Sequence, residues 1–238
     1  MAKKTKINFT TFADIEVEYL SNRSKGMEHE LELCRLVLSS QSFTDEEKAE
    51  VLLMGAHQWP LNTFKKAITA KGDIIKAFAK EKWWTKSFTS FEEILTTVNH
   101  AAKNLPWLGE LTCYDVAKRL GWFFSPELLP TDKVYLCAGA RKGYKKLFGH
   151  TAKIENTKVF KKYFPNLTSL QIEDVLCIMK DAFNNGKVDK THSYECRKEF
   201  CFKLNVNIKL AVKITTTLKP DLMNMGVYDW LKRLFNIV

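Results

Sequence analysis

Two carboxylates and a run of cations are the residues of this 238-residue chain whose types and spacing could do chemistry. Asp132, in Leu129-Pro130-Thr131-Asp132-Lys133-Val134, stands at the head of a basic stretch. From Lys133 to Lys162 there are nine cations (Lys133, Arg141, Lys142, Lys145, Lys146, Lys153, Lys158, Lys161 and Lys162) against one acid, Glu155. An ionised Asp can stabilise positive charge that develops on a substrate and orient or deprotonate an attacking water, and a cationic stretch suits an anionic partner. The same Asp can equally be a plain helix N-cap, a role that stabilises a helix by ~1 kcal/mol and needs no substrate. The competing carboxylate is Asp115, in Leu111-Thr112-Cys113-Tyr114-Asp115-Val116-Ala117, on an otherwise apolar helical stretch. A buried acid there needs a partner, and Arg141 is a candidate.

The elements that must position these groups read as helices around a tight turn. Residues 96–104 run helically, Pro106 and Gly109 punctuate the chain, and residues 112–120 resume with apolar positions at helical spacing. Gly109 can take a positive φ and let another backbone approach. N–H groups pointing outward from the start of a helix can meet a phosphate, although an αα-hairpin without any ligand has the same pattern.

Leu105-Pro106-Trp107-Leu108-Gly109-Glu110-Leu111-Thr112 resembles the hairpin of the helix-hairpin-helix DNA glycosylase superfamily, with Leu105, Pro106, Gly109 and Thr112 in register and Trp107 replacing the first glycine. The family places its catalytic Asp about a helix and a loop downstream, where Asp132 stands, and opens its core with an apolar helix ending in a small residue and Gln. Val51-Leu52-Leu53-Met54-Gly55-Ala56-His57-Gln58-Trp59 resembles that helix, with Gln58 at the matching position. The likeness covers about residues 47–149, and the segment between Gln58 and the hairpin is shorter than in the family. It implies a monofunctional enzyme that hydrolyses the N-glycosidic bond of a damaged or modified base flipped out of double-stranded DNA. The setting would be repair or defence against modified phage DNA. Members that also cleave the strand carry a Lys just before the Thr; here that position is Leu111, so no lyase activity is expected. Some relatives hold an iron–sulfur cluster on four closely spaced Cys, a spacing that Cys177, Cys196 and Cys201 lack.

The resemblance assigns further residues. Asp132 would be catalytic, with Asp115 the runner-up. Gln58, Trp107, Gly109, Glu110, Leu111, Thr112, Lys133, Arg141, Lys142, Lys145 and Lys146 would meet DNA. His57, Trp59, Trp122 and Tyr135 would serve the gap or the base pocket, because extruded bases are held between aromatic or apolar groups. Core packing is the competing role for each aromatic in a chain that is 12% aromatic. A DNA-binding protein that keeps the hairpin and the basic face without the chemistry is the alternative function.

Composition narrows the remaining classes. A net charge of +10 suits a polyanionic partner, and 45% hydrophobic residues suffice for a sizeable core. No apolar run approaches membrane-spanning length, the start Met-Ala-Lys-Lys-Thr-Lys has no hydrophobic stretch, and six Cys lack CxxC spacing. A soluble, cytoplasmic monomer with no membrane partner, no metal and no other cofactor is therefore expected. The expected fold is mainly α, one compact helical domain over residues 1–238 or two lobes, with the hairpin and catalytic segment at about 96–149. Thr44 with Glu47, Ser90 with Glu93 and Thr168 with Gln171 have the spacing of capping boxes. The helix after Thr168 is expected to run to Phe183, and Thr131 or Asp132 should cap a helix over 133–147. Strict apolar alternation over 200–214 favours a short strand, and a last amphipathic helix should run from about 220 to 235.

Overall fold

The computed structural model describes residues 5–53, 72–105, 108–191, 193–196 and 208–234. The chain is mainly helical with only short strands, and it divides into two compact units. Unit 1 takes residues 1–27 and 130–201; unit 2 takes 28–129 and 202–238. The expected hairpin-and-Asp segment, 96–149, is thus shared between them. No helix among the described residues is long and apolar enough to cross a membrane.

In unit 1, β1 (Thr5–Asn8) pairs antiparallel with β6 (Ser193–Cys196), Thr5 facing Cys196. Helix α1 (Phe12–Tyr19) opens on a capping box. The Thr11 hydroxyl accepts the Asp14 N–H at 3.1 Å, and the Asp14 carboxylate accepts the Thr11 N–H at 2.8 Å. A π-helical turn, Leu20–Ser24, leads into α2 (Lys25–Ser39), along which the chain leaves unit 1.

The chain re-enters unit 1 before β2 (Lys133–Tyr135), which pairs antiparallel with β3 (Ile154–Asn156); α7 (Ala138–Phe148) lies between them in sequence. This corrects the expected helix over 133–147. The Asp132 carbonyl, which a capped helix would use four residues on, instead accepts the Thr157 N–H at 2.9 Å, and Leu136 N–H continues the ladder to the Lys153 carbonyl at 2.7 Å. Val134, Tyr135 and Leu136 are buried consecutively, as an extended segment covered on both faces requires. Helix α8 (Ser169–Ile178) has the expected capping box, with Gln171 N–H to Thr168 Oγ1 at 3.3 Å and Thr168 N–H to Gln171 Oε1 at 2.8 Å. It stops short of Phe183, which begins the small hairpin β4 (Phe183–Asn184) and β5 (Lys187–Val188).

Helices α7 and α8 pack closely through Gly139 and Gly143, one turn apart on α7. A Cβ on Gly143 would overlap the backbone carbonyl of Leu176, and one on Gly139 would overlap the Cys177 sulfur. The buried stripe Ala140, Gly143, Tyr144 and Leu147 joins Phe9, Ile15, Val134, Leu136, Phe160, Phe164, Ile172, Val175 and Leu176 in one apolar core.

Unit 2 contains most of α2, then α3 (Asp45–Leu53), α4 (residues 72–81), a 3₁₀ turn (Trp83–Thr85), α5 (Phe91–Ala102) and α6 (Glu110–Phe124). The boxes at Thr44–Glu47 and Ser90–Glu93 start α3 and α5, although Glu93 reaches past Ser90 to the Thr89 N–H at 2.8 Å. Helices α5 and α6 form an αα-hairpin in which the Phe91 and Tyr114 rings meet edge to face at 5.9 Å. Arg119 of α6, 1% exposed, ties three helices together. Its guanidinium donates to Glu30 Oε1 of α2 through Nε at 2.9 Å and through Nη2, and to the Leu52 carbonyl of α3 at 2.7 Å.

The expected strand over 200–214 is corrected from residue 208 onward, where α9 (Ile208–Thr217) is helical; the rest of that stretch lies outside the described residues. Leu210, Ala211 and Ile214 form its buried face at helical spacing, and Leu218 just beyond it is buried too, while Val212 is 40% exposed. The apparent alternation came from one apolar residue on the solvent side. The last expected helix is two: α10 (Lys219–Asn224) and α11 (Tyr228–Leu234), separated at Gly226, whose φ of +68° ends α10.

Candidate functional site

Asp132 lies on the surface of unit 1, in the bend that leads into β2. Its carbonyl is fixed by Thr157, while among the described residues no hydrogen bond or ion pair engages its exposed carboxylate. It caps no helix. The cap of α7 is Cys137, which offers no side-chain hydrogen bond. The β2–β3 register sets Lys133 against Asn156, and the Asn156 side chain accepts the Lys158 N–H at 2.9 Å to start the next 3₁₀ turn. Lys133 follows Asp132 at the start of β2, and Lys158 belongs to the 3₁₀ turn after β3.

The remaining cations of the basic stretch divide by what holds them. Lys142 and Lys145 are exposed on the side of α7 opposite its buried stripe, and Lys153 and Lys158 are exposed on the β3 side. Lys146, also exposed, is paired with Asp181 at 2.6 Å. Lys161 donates to the carbonyls of Pro165 at 3.1 Å and Leu167 at 2.8 Å, closing the following loop. The Lys162 ammonium sits over the Tyr163 ring, 4.7 Å from its centre. Arg141 is half-buried on α7. Lys142, Lys145, Lys153 and Lys158 are thus the cations most available to phosphates, because among the described residues they have no ion pair to give up.

The hairpin of unit 2 has the expected helices but not the expected glycine geometry. Gly109 is the N-cap of α6 at φ −92° and ψ 171°, an extended backbone open to any residue, and a Cβ there would meet no described atom within 4 Å. Glu110, Leu111 and Thr112 make the first turn of α6, whose leading N–H groups have no intrahelical acceptor. Asp115, 3% exposed, is bridged to Lys118 at 2.7 Å on the same helix. Its position suits holding the core together more than meeting substrate. Trp122 donates from Nε1 to Glu32 Oε2 at 3.2 Å, joining α6 to α2, and Tyr135 is 7% exposed within β2. His57, Gln58, Trp59 and Trp107 lie outside the described residues.

Sequence reasoning missed a polar group beside the basic stretch. Tyr144 is 1% exposed, and its hydroxyl lies 2.7 Å from Glu155 Oε2 and 3.0 Å from His150 Nε2. Burial and the adjacent Glu155 carboxylate push the Tyr144 phenol well above its ordinary range. Nothing local in the sequence signals it, because the three residues meet only once β3 folds against the end of α7. Among the described residues no group of three or more His, Cys, Asp and Glu side chains is placed to hold a metal ion. No family model, curated protein or solved structure matches the chain.

Proposed function

We propose that the protein binds double-stranded DNA through the basic surface of unit 1 and hydrolyses the N-glycosidic bond of an altered base flipped out of the duplex, with Asp132 as the carboxylate at the sugar. The observation that carries this reading is the exposed Asp132 side chain, which neither caps a helix nor pairs with a cation among the described residues and which belongs to the same unit as the exposed lysines Lys142, Lys145, Lys153 and Lys158. A carboxylate with no partner among the described residues, on a unit that carries exposed lysines, is available to a substrate held by its phosphates.

In the reaction the C–N bond breaks with its electron pair leaving on the base, and the ionised carboxylate stabilises the resulting sugar cation. Water attacks the anomeric carbon and loses a proton. The base takes one up, and an abasic site remains. Lys142, Lys145, Lys153 and Lys158 would hold phosphates and fix the register on the strand without reading sequence. The hairpin of α5 and α6, with Leu111 where lyases carry Lys, fits simple hydrolysis without a cofactor. A second reading, DNA binding without base removal, is favoured by the same lysines, since phosphate contacts need no carboxylate.

Incubation with duplexes bearing different modified bases, followed by detection of free base and abasic sites, tests the proposal. Wild-type protein should release base from at least one duplex. Asp132→Asn, which removes only the charge, should lower release by orders of magnitude while binding persists; Asp115→Asn should chiefly lower the melting temperature. Base release that survives Asp132→Asn but not Asp115→Asn moves the chemistry to Asp115. Duplex binding with no release from any substrate leaves the second reading.

A further inference from the structure

The bend that carries Asp132 is held by two residues that are neither charged nor exposed. Ser169, the first residue of α8, has its Oγ 2.8 Å from the Thr131 carbonyl and 2.7 Å from Thr157 Oγ1. A carbonyl oxygen only accepts, so the single Ser169 hydroxyl hydrogen goes to Thr131, and the Ser169 oxygen accepts the Thr157 hydroxyl. Ser169 is 1% exposed and Thr157 5% exposed, so the two hydroxyls must satisfy one another, and this is the one arrangement that makes both contacts. Thr157 acts a second time, because its N–H donates to the Asp132 carbonyl at 2.9 Å. The carbonyls on either side of the Asp132 Cα are thus both held. Peptide units are planar, so fixing the Thr131–Asp132 unit and the Asp132–Lys133 unit fixes φ and ψ of Asp132, and with them the direction of its Cα–Cβ bond. Only the side-chain torsions stay free. The anchor is itself secured: Ser169 follows the Thr168 N-cap, and Gln171, which closes the capping box with Thr168, donates from Nε2 to Ser24 Oγ at 2.9 Å.

We propose that Thr157 and Ser169 are positioning residues of the candidate site, a buried hydroxyl pair that aims the Asp132 carboxylate by clamping the backbone on both sides of it. An exposed carboxylate on an unrestrained bend would sample many directions, whereas a clamped backbone reduces these to the side-chain rotamers. Two buried hydroxyls are costly unless each finds a partner, and here the partner at the end of the chain is the peptide that precedes Asp132. All four residues, Thr131, Asp132, Thr157 and Ser169, belong to unit 1. Their part in the reaction rests on Asp132 being the carboxylate at the sugar, whereas the clamp stands on the geometry of unit 1 alone.

Hydrogen exchange and base release, both measured on the full chain, separate the two. Ser169→Ala removes the donor to Thr131 and the acceptor of the Thr157 hydroxyl. The Thr157 amide, which donates to Asp132, should then exchange about fivefold faster than in wild type, while the Leu136 amide at the other end of the same ladder keeps its rate. An unchanged Thr157 amide overturns the clamp, and so does equal acceleration of both amides, which marks a general loss of stability. On a duplex from which wild type releases base, Ser169→Ala should lower kcat by about tenfold with KM and duplex affinity unchanged, within the about 10²-fold that a 1 Å misplacement costs. Thr157→Val should lower kcat likewise, and Thr157→Ser, which keeps the hydroxyl, should lie closer to wild type. Combining Ser169→Ala with Thr157→Val should be no slower than the worse single variant, because the pair acts as one unit. A wild-type kcat in Ser169→Ala, equal losses in Thr157→Ser and Thr157→Val, or a change confined to KM overturns the positioning role. If wild type releases base from no duplex, or Asp132→Asn releases it normally, Asp132 loses its role and theirs goes with it, while the exchange rates still decide the clamp.

Discussion

Adding one methyl group to α7 tests how little space separates α7 from α8. A glycine inside a helix is less favourable than alanine by about 1 kcal/mol, so Gly139→Ala and Gly143→Ala should stabilise unit 1 unless the space is taken. At Gly143 the new Cβ would lie 2.8 Å from the Leu176 carbonyl carbon and 3.1 Å from its Cα, with the carbonyl oxygen closer still. Carbon atoms settle at about 3.5 Å, so α8 backbone would have to retreat by about 0.7 Å or more, and the helices would part along a shared core. Overpacking costs about 1–3 kcal/mol when side chains can adjust, and here the obstacle is backbone. A net loss of about 2 kcal/mol or more is expected for Gly143→Ala, read in urea unfolding as a lower midpoint at unchanged slope.

Gly139 provides the control. Its obstacle is the sulfur of Cys177, and with that sulfur removed the nearest atom would be the Cys177 Cβ at 3.4 Å, an ordinary contact. Gly139→Ala should therefore destabilise alone and recover most of the loss when combined with Cys177→Ala, a coupling that a double-mutant cycle measures. Gly143→Ala should show no comparable rescue. A stabilised Gly143→Ala protein, or additive effects of Gly139→Ala and Cys177→Ala, would refute the packing argument.

Charge reversal at Lys142 and Lys145 should reduce the slope of log affinity against log salt by about 1.8, about 0.9 for each lost phosphate contact; fluorescence anisotropy on a random duplex across a salt series measures it, and an unchanged slope removes α7 from the interface. Burial pushes the Cys34 thiol up to about 12 and Cys113 to about 11, so both should resist alkylation at neutral pH until the protein unfolds, which mass spectrometry of labelled peptides follows. Burial alone would raise the Glu47 carboxyl, but the Lys213 ammonium and the Thr44 donors outweigh it and hold it below the usual 4.5. A depressed carboxyl stabilises the fold above its ordinary range and loses that contribution as pH falls below about 4.5. Glu47→Gln should accordingly weaken unit 2 at neutral pH and flatten its acid limb in thermal melts, and an acid limb as steep as in wild type would contradict the pairing with Lys213.

What was legible in the chain was local. Thr44 with Glu47 and Thr168 with Gln171 announced helix starts because a capping box is closed by residues three apart, and the apolar spacing after Gly109 gave α6. Thr131-Asp132 looked like another cap because the sequence holds the cap's residue types, whereas the partner that decides the matter, the Thr157 N–H, comes from a distant segment. The alternation over 208–214 was read as a strand because exposed Val212 carries the same apolar label as buried Leu210 and Ile214. Gly139 and Gly143 gave no warning, since the reason for them is the backbone of another helix. For the candidate site, the basic stretch was visible as composition. Which lysines are already engaged, as Lys146 and Lys161 are, depended on carbonyls and acids that spacing does not reveal.

The division of each unit between two separated stretches of chain has a consequence for synthesis. The strand at Thr5–Asn8 finds its partner only at Ser193–Cys196, and unit 2 takes in α9, α10 and α11 only after that. Neither unit can be completed while the chain is still short. A nascent polypeptide halted at residue 129 would hold the hairpin of α5 and α6 without α9 to α11, and the first strand without its neighbour. Closing so long a loop carries an entropic cost that only late contacts repay, so folding should be slow and late, with the incomplete chain exposed to proteases and chaperones until most of it has emerged.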